Sequence, residues 1–408
     1  MLVNVMSKSV PRVNINFSDP DNCKNPWPKV EEVRALGPVV FNEFLDAWMV
    51  TGYRDCARVL ANAHNFSTEK LAETYGNMFG GSTMQVDDTS RHHMIKAVWA
   101  KHLQRDSMPP LEPMVRDLVD WRLLPFMERI RAGETVEARK HLTRGIPTLV
   151  IATLLGIPRE RFEEFGEWSD NMSGILVITT DPTAVGSETH RFGQEATAKM
   201  NAYVREVIQE RRRKPGDDLV SAMVHSDIAK TQMSDQDIMA SVTQLVFGGN
   251  ETTANLMTMT LQVLAEHPDQ RRMLAQDRSL IPAAIEEIIR WSSPVTVKFR
   301  AARNGNPEVA GVPIPDGRNV IPLLISANRD PANWDNPTKF DVKRPFKPHL
   351  GFGFGHHICL GINLARFEMQ VWLNRLLDEL PEWDVIGDID YGRNFFLRGP
   401  QSIMLRAC

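Results

Sequence analysis

Apolar side chains recur at helical spacing along most of the chain. Residues 198–213 place Met200, Val204 and Val207 on one side and end in a basic run before a Pro-Gly pair, which predicts a helix with a sharp stop. A second apolar stretch, 146–157, predicts a buried helix, because it is too short to cross a bilayer. Helices are therefore expected to dominate the fold.

The longest predicted helix spans residues 235–266. Ser234 and Asp237 form a capping-box pattern at its start, and a His-Pro pair follows its end. About 30 residues correspond to a length of roughly 45 Å, enough to cross a whole domain. Apolar side chains such as Leu245 and Phe247 lie nearly all round its middle, so this helix is predicted to be central and buried.

Strand patterns are few. Residues 48–51 precede Gly52, and a second patch at 309–321 contains an Asp316-Gly317 pair, which predicts a hairpin turn. The sequence shows neither an internal repeat nor a Gly/Ser linker. One mainly α domain over residues 1–408 is expected, with a small β-containing edge and an extended N-terminal segment at 1–35.

Composition narrows the class of protein. The chain has 408 residues, 42% of them hydrophobic and 24% charged, as in an ordinary globular protein. Its net charge of −4 argues against a nucleic-acid partner held by bulk charge. The 4 cysteines are far apart, which predicts no disulfide framework and a cytoplasmic location. The N-terminus lacks the apolar core of a signal peptide or membrane anchor, so no membrane association is expected.

The run 352–361 interleaves three glycines with aromatic residues, histidines and a single cysteine, Cys359. Glycines let a backbone loop approach a flat ligand closely, and the helix predicted after the run offers N–H groups that stabilise a thiolate. A lone cysteine cannot complete a zinc site, but it can be the single thiolate ligand of haem iron. The alternative is a buried structural cysteine that follows a glycine-rich turn.

The middle of the long helix contains Gly248, Gly249, Asn250, Glu251 and Thr252. Paired glycines weaken a helix, and a threonine hydroxyl that bonds to a backbone carbonyl is expected to bulge it locally. An alcohol beside an acid suits proton delivery during oxygen activation, with Thr252 positioning water and Glu251 relaying protons. Taken alone, the same run would be an ordinary surface face of a helix.

Together these motifs resemble the cytochrome P450 family. Phe352, Gly353, His357 and Cys359 occupy the fixed positions of the family's haem-binding loop, and the Glu251-Thr252 pair matches its oxygen-activation motif. The resemblance implies the family's triangular, mainly helical domain with small β-sheets at one edge. It also implies haem b, with Cys359 as the axial ligand of the iron and Phe352 and Gly353 in contact with the cofactor.

The resemblance assigns further residues to scaffold and cofactor. Glu287 and Arg290, at i and i+3 on the predicted helix 281–291, would form a buried structural network with Arg344, although such a pair is usually an exposed ion pair. The haem propionates would bind cations, each of which could otherwise be an ordinary surface charge. The candidates are His92, Lys96, Lys298, Arg300 and His357. Lys96 stands where most relatives carry arginine, so it keeps the charge and loses bidentate pairing.

Substrate contacts are placed by the resemblance as well. Residues 71–86 would form a capping loop over the distal side of the haem. The predicted lining is mainly apolar and comprises Met78, Phe79, Met84, Gln244, Phe247, Gly248, Val295, Thr296, Phe396 and Leu397. This lining implies a small to medium hydrophobic substrate with little charge. Met and Phe are also the commonest plain core residues.

The implied activity is a monooxygenase that inserts one atom of O2 into its substrate. The chain has no flavin, nicotinamide or iron–sulfur motif, so the electrons would come from a separate ferredoxin and its reductase. Lys101, His102, Arg105 and Arg366 would offer an acidic donor a basic proximal face. A monomer is expected. The alternatives are a peroxygenase driven by H2O2 and a non-catalytic haem-thiolate protein for binding or electron transfer.

Overall fold

The computed structural model describes residues 10–86 and 89–408. Helices make up 59% of it, in agreement with the mainly α prediction. The helices are α1 Pro20–Lys24, α2 Trp27–Leu36, α3 Tyr53–Ala61, α4 Ala72–Phe79, α5 Ser90–Ala100, α6 Glu112–Arg131, α7 Gly145–Leu154, α8 Phe162–Met172, α9 Glu188–Arg213, α10 Leu219–Val224, α11 Asp227–Gln232, α12 Asp235–Glu266, α13 Pro268–Gln276, α14 Ile281–Ser292, α15 Leu324–Ala327 and α16 Ile362–Glu379.

The strands are short and form small sheets. They are β1 Arg12–Val13, β2 Val39–Asn42, β3 Ala47–Val50, β4 Phe66–Ser67, β5 Val136–Glu137, β6 Arg300–Ala302, β7 Glu308–Val309, β8 Val312–Pro313, β9 Asn319–Pro322, β10 Trp383–Asp390 and β11 Ser402–Ala407. The largest sheet has the order β1-β2-β3-β9-β6-β4, a second has β10-β11-β5, and β7 pairs with β8. The bridge between Val295 and Leu397 ties the segment after α14 to the C-terminal loop.

Helix α12 is the centre of the fold. The Ser234 hydroxyl accepts a hydrogen bond from the Asp237 N–H, and the Asp237 carboxylate accepts one from the Ser234 N–H, so both sides of the predicted capping box are present. The helix is 32 residues long and packs against α4, α7, α8, α9, α14 and α16. It is therefore surrounded by protein along most of its length, as its apolar middle predicted.

Three local expectations were wrong. The segment 1–35 was expected to be extended, but its described part, 10–35, contains α1 and nearly all of α2, and residues 1–9 lie outside the described residues. Residues 71–86, expected to be a loop, contain α4 and a 3₁₀ turn at Met84–Val86. The hairpin expected at Asp316-Gly317 does not form, because β9 pairs with β3 and β6 instead of β8. The hairpin that does form joins β7 to β8 and turns at Ala310-Gly311, where both φ angles are positive.

Helix α12 is also unbroken where a bulge was expected. The Thr252 hydroxyl donates to the Gly248 carbonyl one turn earlier, at 3.0 Å, without interrupting the helix. A Cβ atom on Gly248 would meet nothing within 4 Å, so open space borders the helix at this turn. No helix among the described residues combines the length and the apolar character needed to cross a membrane.

Candidate functional site

The cysteine loop is held in a narrow set of backbone conformations. The Cys359 N–H donates to the Phe352 carbonyl at 2.9 Å, which closes the loop before α16 begins at Ile362. Gly353 and Gly355 have φ values of 74° and 71°, which side chains rarely tolerate. A Cβ atom on Gly355 would also lie 2.7 Å from the Ala61 Cα. Two glycines of the run are therefore required by the backbone itself.

The Cys359 sulfur faces an internal cavity. The side chain has accessible surface, yet it lies among the cavity-lining residues and is surrounded by protein. Burial raises the pKa of the thiol, while the Gly361 N–H, Lys298 and Lys96 oppose that rise. A bound metal ion removes the proton from a coordinating thiol outright. The geometry thus presents one sulfur ligand to whatever occupies the cavity.

The space of the cavity, counted together with its opening to solvent, is about 1820 Å³. It is lined by the cysteine loop, by α16, and by α12 through Gly248, Gly249 and Thr252.

Every predicted propionate partner lies on the cavity wall, namely His92, Lys96, Lys298, Arg300 and His357. The Lys96 Nζ donates to the Ile358 carbonyl at 2.9 Å, which joins α5 to the cysteine loop. The ring nitrogens of His92 lie 2.7 Å from the Met84 carbonyl oxygen and 3.1 Å from that of His356. A rim with several cations is what a dianionic cofactor needs in a low-dielectric site.

Lys298 is enclosed by protein and faces the cavity. Burial lowers its pKa from 10.5 to about 8, and the nearby Arg300 adds to that decrease. Its Nζ lies 5.5 Å from the centre of the Phe396 ring. A buried ammonium in this position is stabilised by an anionic group. One thiol, a glycine-rich loop and these cations fit a haem.

Thr252 and Glu251 lie on different faces of α12. Thr252 lines the cavity, whereas the Glu251 side chain turns away from it and is 2% exposed. Glu251 forms a buried ion pair with Arg139, whose Nη2 lies 3.0 Å from Oε1 and 3.3 Å from Oε2. The Arg139 Nη1 donates to the Asn255 Oδ1 at 2.6 Å. The predicted acid is thus held by a residue that sequence reasoning missed, and no local pattern connects the two positions.

The predicted substrate pocket is only partly realised. Seven of the predicted residues line the cavity: Met84, Gln244, Phe247, Gly248, Val295, Phe396 and Leu397. Met78 and Phe79 do not line it, because α4 turns them into the core, where Phe79 packs against Phe247. Thr296 does not line it either, since its hydroxyl donates to the Phe395 carbonyl at 2.6 Å. The structure therefore does not place these three residues on the cavity wall.

The structure brings Glu287, Arg290 and Arg344 together in a buried cluster. Glu287 accepts from the Arg290 Nε at 2.7 Å and Nη2 at 2.8 Å, and from the Arg344 Nε at 2.9 Å. Glu287 and Arg290 side chains are each 1% exposed. The cluster lies away from the cavity wall, which is consistent with a purely structural role.

The proximal side of the cysteine loop is less basic than its residue types suggest. Arg366 is bound by Glu286 through two hydrogen bonds of 2.7 Å. Burial lowers the pKa of His102, so this ring favours its neutral form. Phe354 and Ile358 of the loop are 41% and 40% exposed. This surface combines apolar side chains with the charges of Lys101 and Arg105.

A cysteine sulfur, a cationic rim and an alcohol-bearing helix around one large cavity define a haem-thiolate protein. The comparisons with known proteins agree: the family model described as Cytochrome P450 matches residues 40–386, so the chain belongs to the cytochrome P450 family. Members of this family use a haem iron cofactor, and the chain is a P450 monooxygenase.

Relatives and solved structures match over nearly the whole chain. The cytochrome P450 monooxygenase PikC of Streptomyces venezuelae is 29% identical over 98% of this chain and 95% of its own. A steroid C26-monooxygenase of Rhodococcus jostii is 35% identical over 94% and 83%. Among structures, P450BioI in complex with hexadec-9Z-enoic acid ligated acyl carrier protein has a TM-score of 0.86, 28% identity, and coverage of 95% and 100%. CYP109E1 from Bacillus megaterium in complex with testosterone has a TM-score of 0.85, 27% identity, and coverage of 95% and 99%.

Proposed function

We propose that this chain inserts one oxygen atom of O2 into a small to medium hydrophobic substrate, with haem b held by Cys359. The observation that carries the proposal is that Cys359, in the loop before α16, and Thr252, on α12, line the same cavity. When bound, the haem supplies the iron at which O2 is reduced. The chain's own residues then have to supply protons and exclude bulk water at that point.

Thr252 is the group proposed to position water beside the cofactor. Its hydroxyl donates its hydrogen to the Gly248 carbonyl, so its oxygen can accept a hydrogen bond from a water molecule in the cavity. Glu251 is the proposed relay to solvent. Because Arg139 holds its carboxylate, Glu251 has to exchange this partner for water before it can transfer a proton towards Thr252.

The substrate class follows from the lining and is supported by the relatives. Leu176, Leu245, Phe247, Val295 and Phe396 give the distal half of the cavity an apolar surface. Burial of apolar area contributes about 25 cal/mol per Å², which is enough to bind compounds that carry little charge. A relative named as a steroid monooxygenase and a similar structure with bound testosterone point in the same direction.

The electron donor is proposed to be a ferredoxin, itself reduced by a ferredoxin reductase. Exposed Phe354 and Ile358 give the cysteine loop an apolar contact surface, and Lys101 and Arg105 add positive charge beside it. The proposal includes a monomeric protein in the cytoplasm, in accord with cysteines that are all unpaired in the structure.

The test is Thr252→Ala, with Thr260→Ala as the matched control. Thr260 lies on the same helix, and its hydroxyl donates to the carbonyl of Leu256 at 2.8 Å, but it is outside the cavity. With a ferredoxin pair and a hydrophobic compound that shifts the iron spin state, Thr252→Ala is expected to lower product per NADPH by at least about tenfold and to raise peroxide formation. Thr260→Ala should not.

Unchanged coupling in Thr252→Ala would contradict the role of Thr252. Equal product yield from H2O2 alone, without NADPH or ferredoxin, would instead support the peroxygenase alternative. Both variants should retain haem, since neither touches Cys359 or the rim cations.

A further inference from the structure

A chain of hydrogen bonds follows one wall of the otherwise apolar distal cavity. The Gln244 Nε2 donates to the Gln85 Oε1 at 2.7 Å, and the Gln85 Nε2 donates to the Tyr75 hydroxyl oxygen at 2.9 Å. Tyr75, Gln85 and Gln244 all line the cavity. Burial raises the pKa of Tyr75, so its hydroxyl stays neutral and its oxygen remains an acceptor for Gln85.

One polar atom in this series of hydrogen bonds has no partner in the described part of the chain. The Gln244 Oε1 has no hydrogen-bond partner among the described residues, although the side chain is only 6% exposed. A buried acceptor that has lost its hydration is unfavourable unless another group donates to it. Gln85 holds the amide through its nitrogen, so the buried oxygen is the atom left to accept from a donor in the cavity that Gln244 lines.

The position of Gln244 on α12 sets a distance. Gln244, Gly248 and Thr252 are spaced i, i+4 and i+8, so they lie along one face of the helix. Eight residues correspond to about 12 Å along the helix axis. Gly248 between them carries no side chain, and its Cβ position borders open space, so an elongated ligand can lie against the helix from one residue to the other.

We propose that Gln244 accepts a hydrogen bond from an O–H or N–H group of the substrate. The substrate is then an elongated apolar molecule with a hydrogen-bond donor about 9 Å from the carbon to be oxidised beside Thr252, which is the helix spacing of about 12 Å less a hydrogen bond of about 3 Å. Gln85 and Tyr75 are positioning residues that fix the amide. This inference rests on the proposed function, because it assumes that the substrate occupies the same cavity as the haem.

The experiment is a spin-state titration of the haem-loaded protein with three matched rigid probes. They are para-cyclohexylcyclohexanol, the corresponding ketone and the parent hydrocarbon bicyclohexyl. In Gln244→Met the amide is replaced by an apolar side chain of similar length. The affinity for the alcohol is expected to fall about tenfold, while the affinities for the ketone and the hydrocarbon change less than about twofold.

Two further variants separate a hydrogen bond from a change in packing. Leu245→Met alters the neighbouring lining residue without removing a polar atom, so it should change the affinities for all three probes by a similar factor. Gln85→Met removes the partner that holds the amide, so it should lower the affinity for the alcohol by a smaller factor than Gln244→Met does.

Three results would each overturn the inference. Gln244→Met could change the affinities for all three probes equally, it could weaken the ketone more than the alcohol, or no probe could shift the spin state at all. These outcomes leave the monooxygenase proposal standing, because that proposal is judged by the coupling of Thr252→Ala. Conversely, a Thr252→Ala variant that forms as much product per NADPH as the unmodified protein would contradict the catalytic proposal. That result would leave the probe affinities, and so the inference about Gln244, unaffected.

Discussion

The buried carboxylate of Glu287 offers the sharpest test of the scaffold. In Glu287→Gln the shape of the side chain is kept, but a neutral amide replaces an anion that binds Arg290 and Arg344. One amide position also becomes a donor that faces other donors. Removing one partner from a buried ion pair costs about 3–5 kcal/mol, because the remaining charge is left uncompensated. Two arginines are affected in this case, so the upper half of that range is expected.

The matched control is Glu32→Gln. Glu32 pairs with Lys29 at the same spacing, three residues apart on α2, with a distance of 2.8 Å, but both side chains are more than 40% exposed. Exposed pairs contribute about 0–1 kcal/mol. Urea unfolding of the haem-loaded protein, followed by circular dichroism, gives the free energy of unfolding for both variants. A difference of less than about 1 kcal/mol between them would refute the assignment of Glu287 to a stabilising buried network.

Further variants test the site and its supports. Arg139→Met should destabilise the protein by about 3 kcal/mol by leaving the Glu251 carboxylate buried without its partner, and the double variant with Glu251→Gln should recover most of that in urea unfolding. Gly355→Ala should abolish the ferrous carbon monoxide spectrum of a thiolate-bound haem, because its Cβ would meet backbone atoms. Gly361→Ala, at a negative φ and with no atom within 4 Å of the added Cβ, should retain the spectrum, and equal effects would contradict the close approach. Although burial opposes it, hydrogen bonds from its neighbours lower the pKa of Glu286 from 4.5 to about 2. Its contribution to stability should therefore be present above pH 4.5 and be lost as the pH falls towards 2, and acid unfolding of Glu286→Gln should lack that component.

Local patterns predicted the parts of the molecule that depend on neighbouring residues in the chain. The capping box at Ser234 and the long apolar run placed α12 at the boundaries that the structure shows, because caps and helical periodicity are set within a few residues. The cysteine loop was recognisable for a similar reason, since Gly353 and Gly355 are required by their own φ angles. The placement of Cys359 on the cavity wall follows from these two elements.

Local patterns failed where facing elements decide the outcome. The Asp316-Gly317 pair predicted a hairpin, but the strand that follows it, β9, pairs with β3 and β6 instead. The residue types in 71–86 could not show that α4 turns Met78 and Phe79 into the core and leaves Tyr75 on the cavity wall. A residue's type gives its preference for burial, whereas the packing of the helix decides what it is buried against.

The sequence alone determined the family, the cysteine that faces the haem cavity, the central helix and the alcohol–acid pair at its middle. Only the tertiary structure decided which groups those residues meet. Arg139 is 112 positions from Glu251, and Gln85 is 159 positions from Gln244, yet both pairs are in hydrogen-bond contact. Contacts between residues so distant depend on how whole helices pack, and this is why the acid's partner and the polar wall of the pocket could not be foreseen.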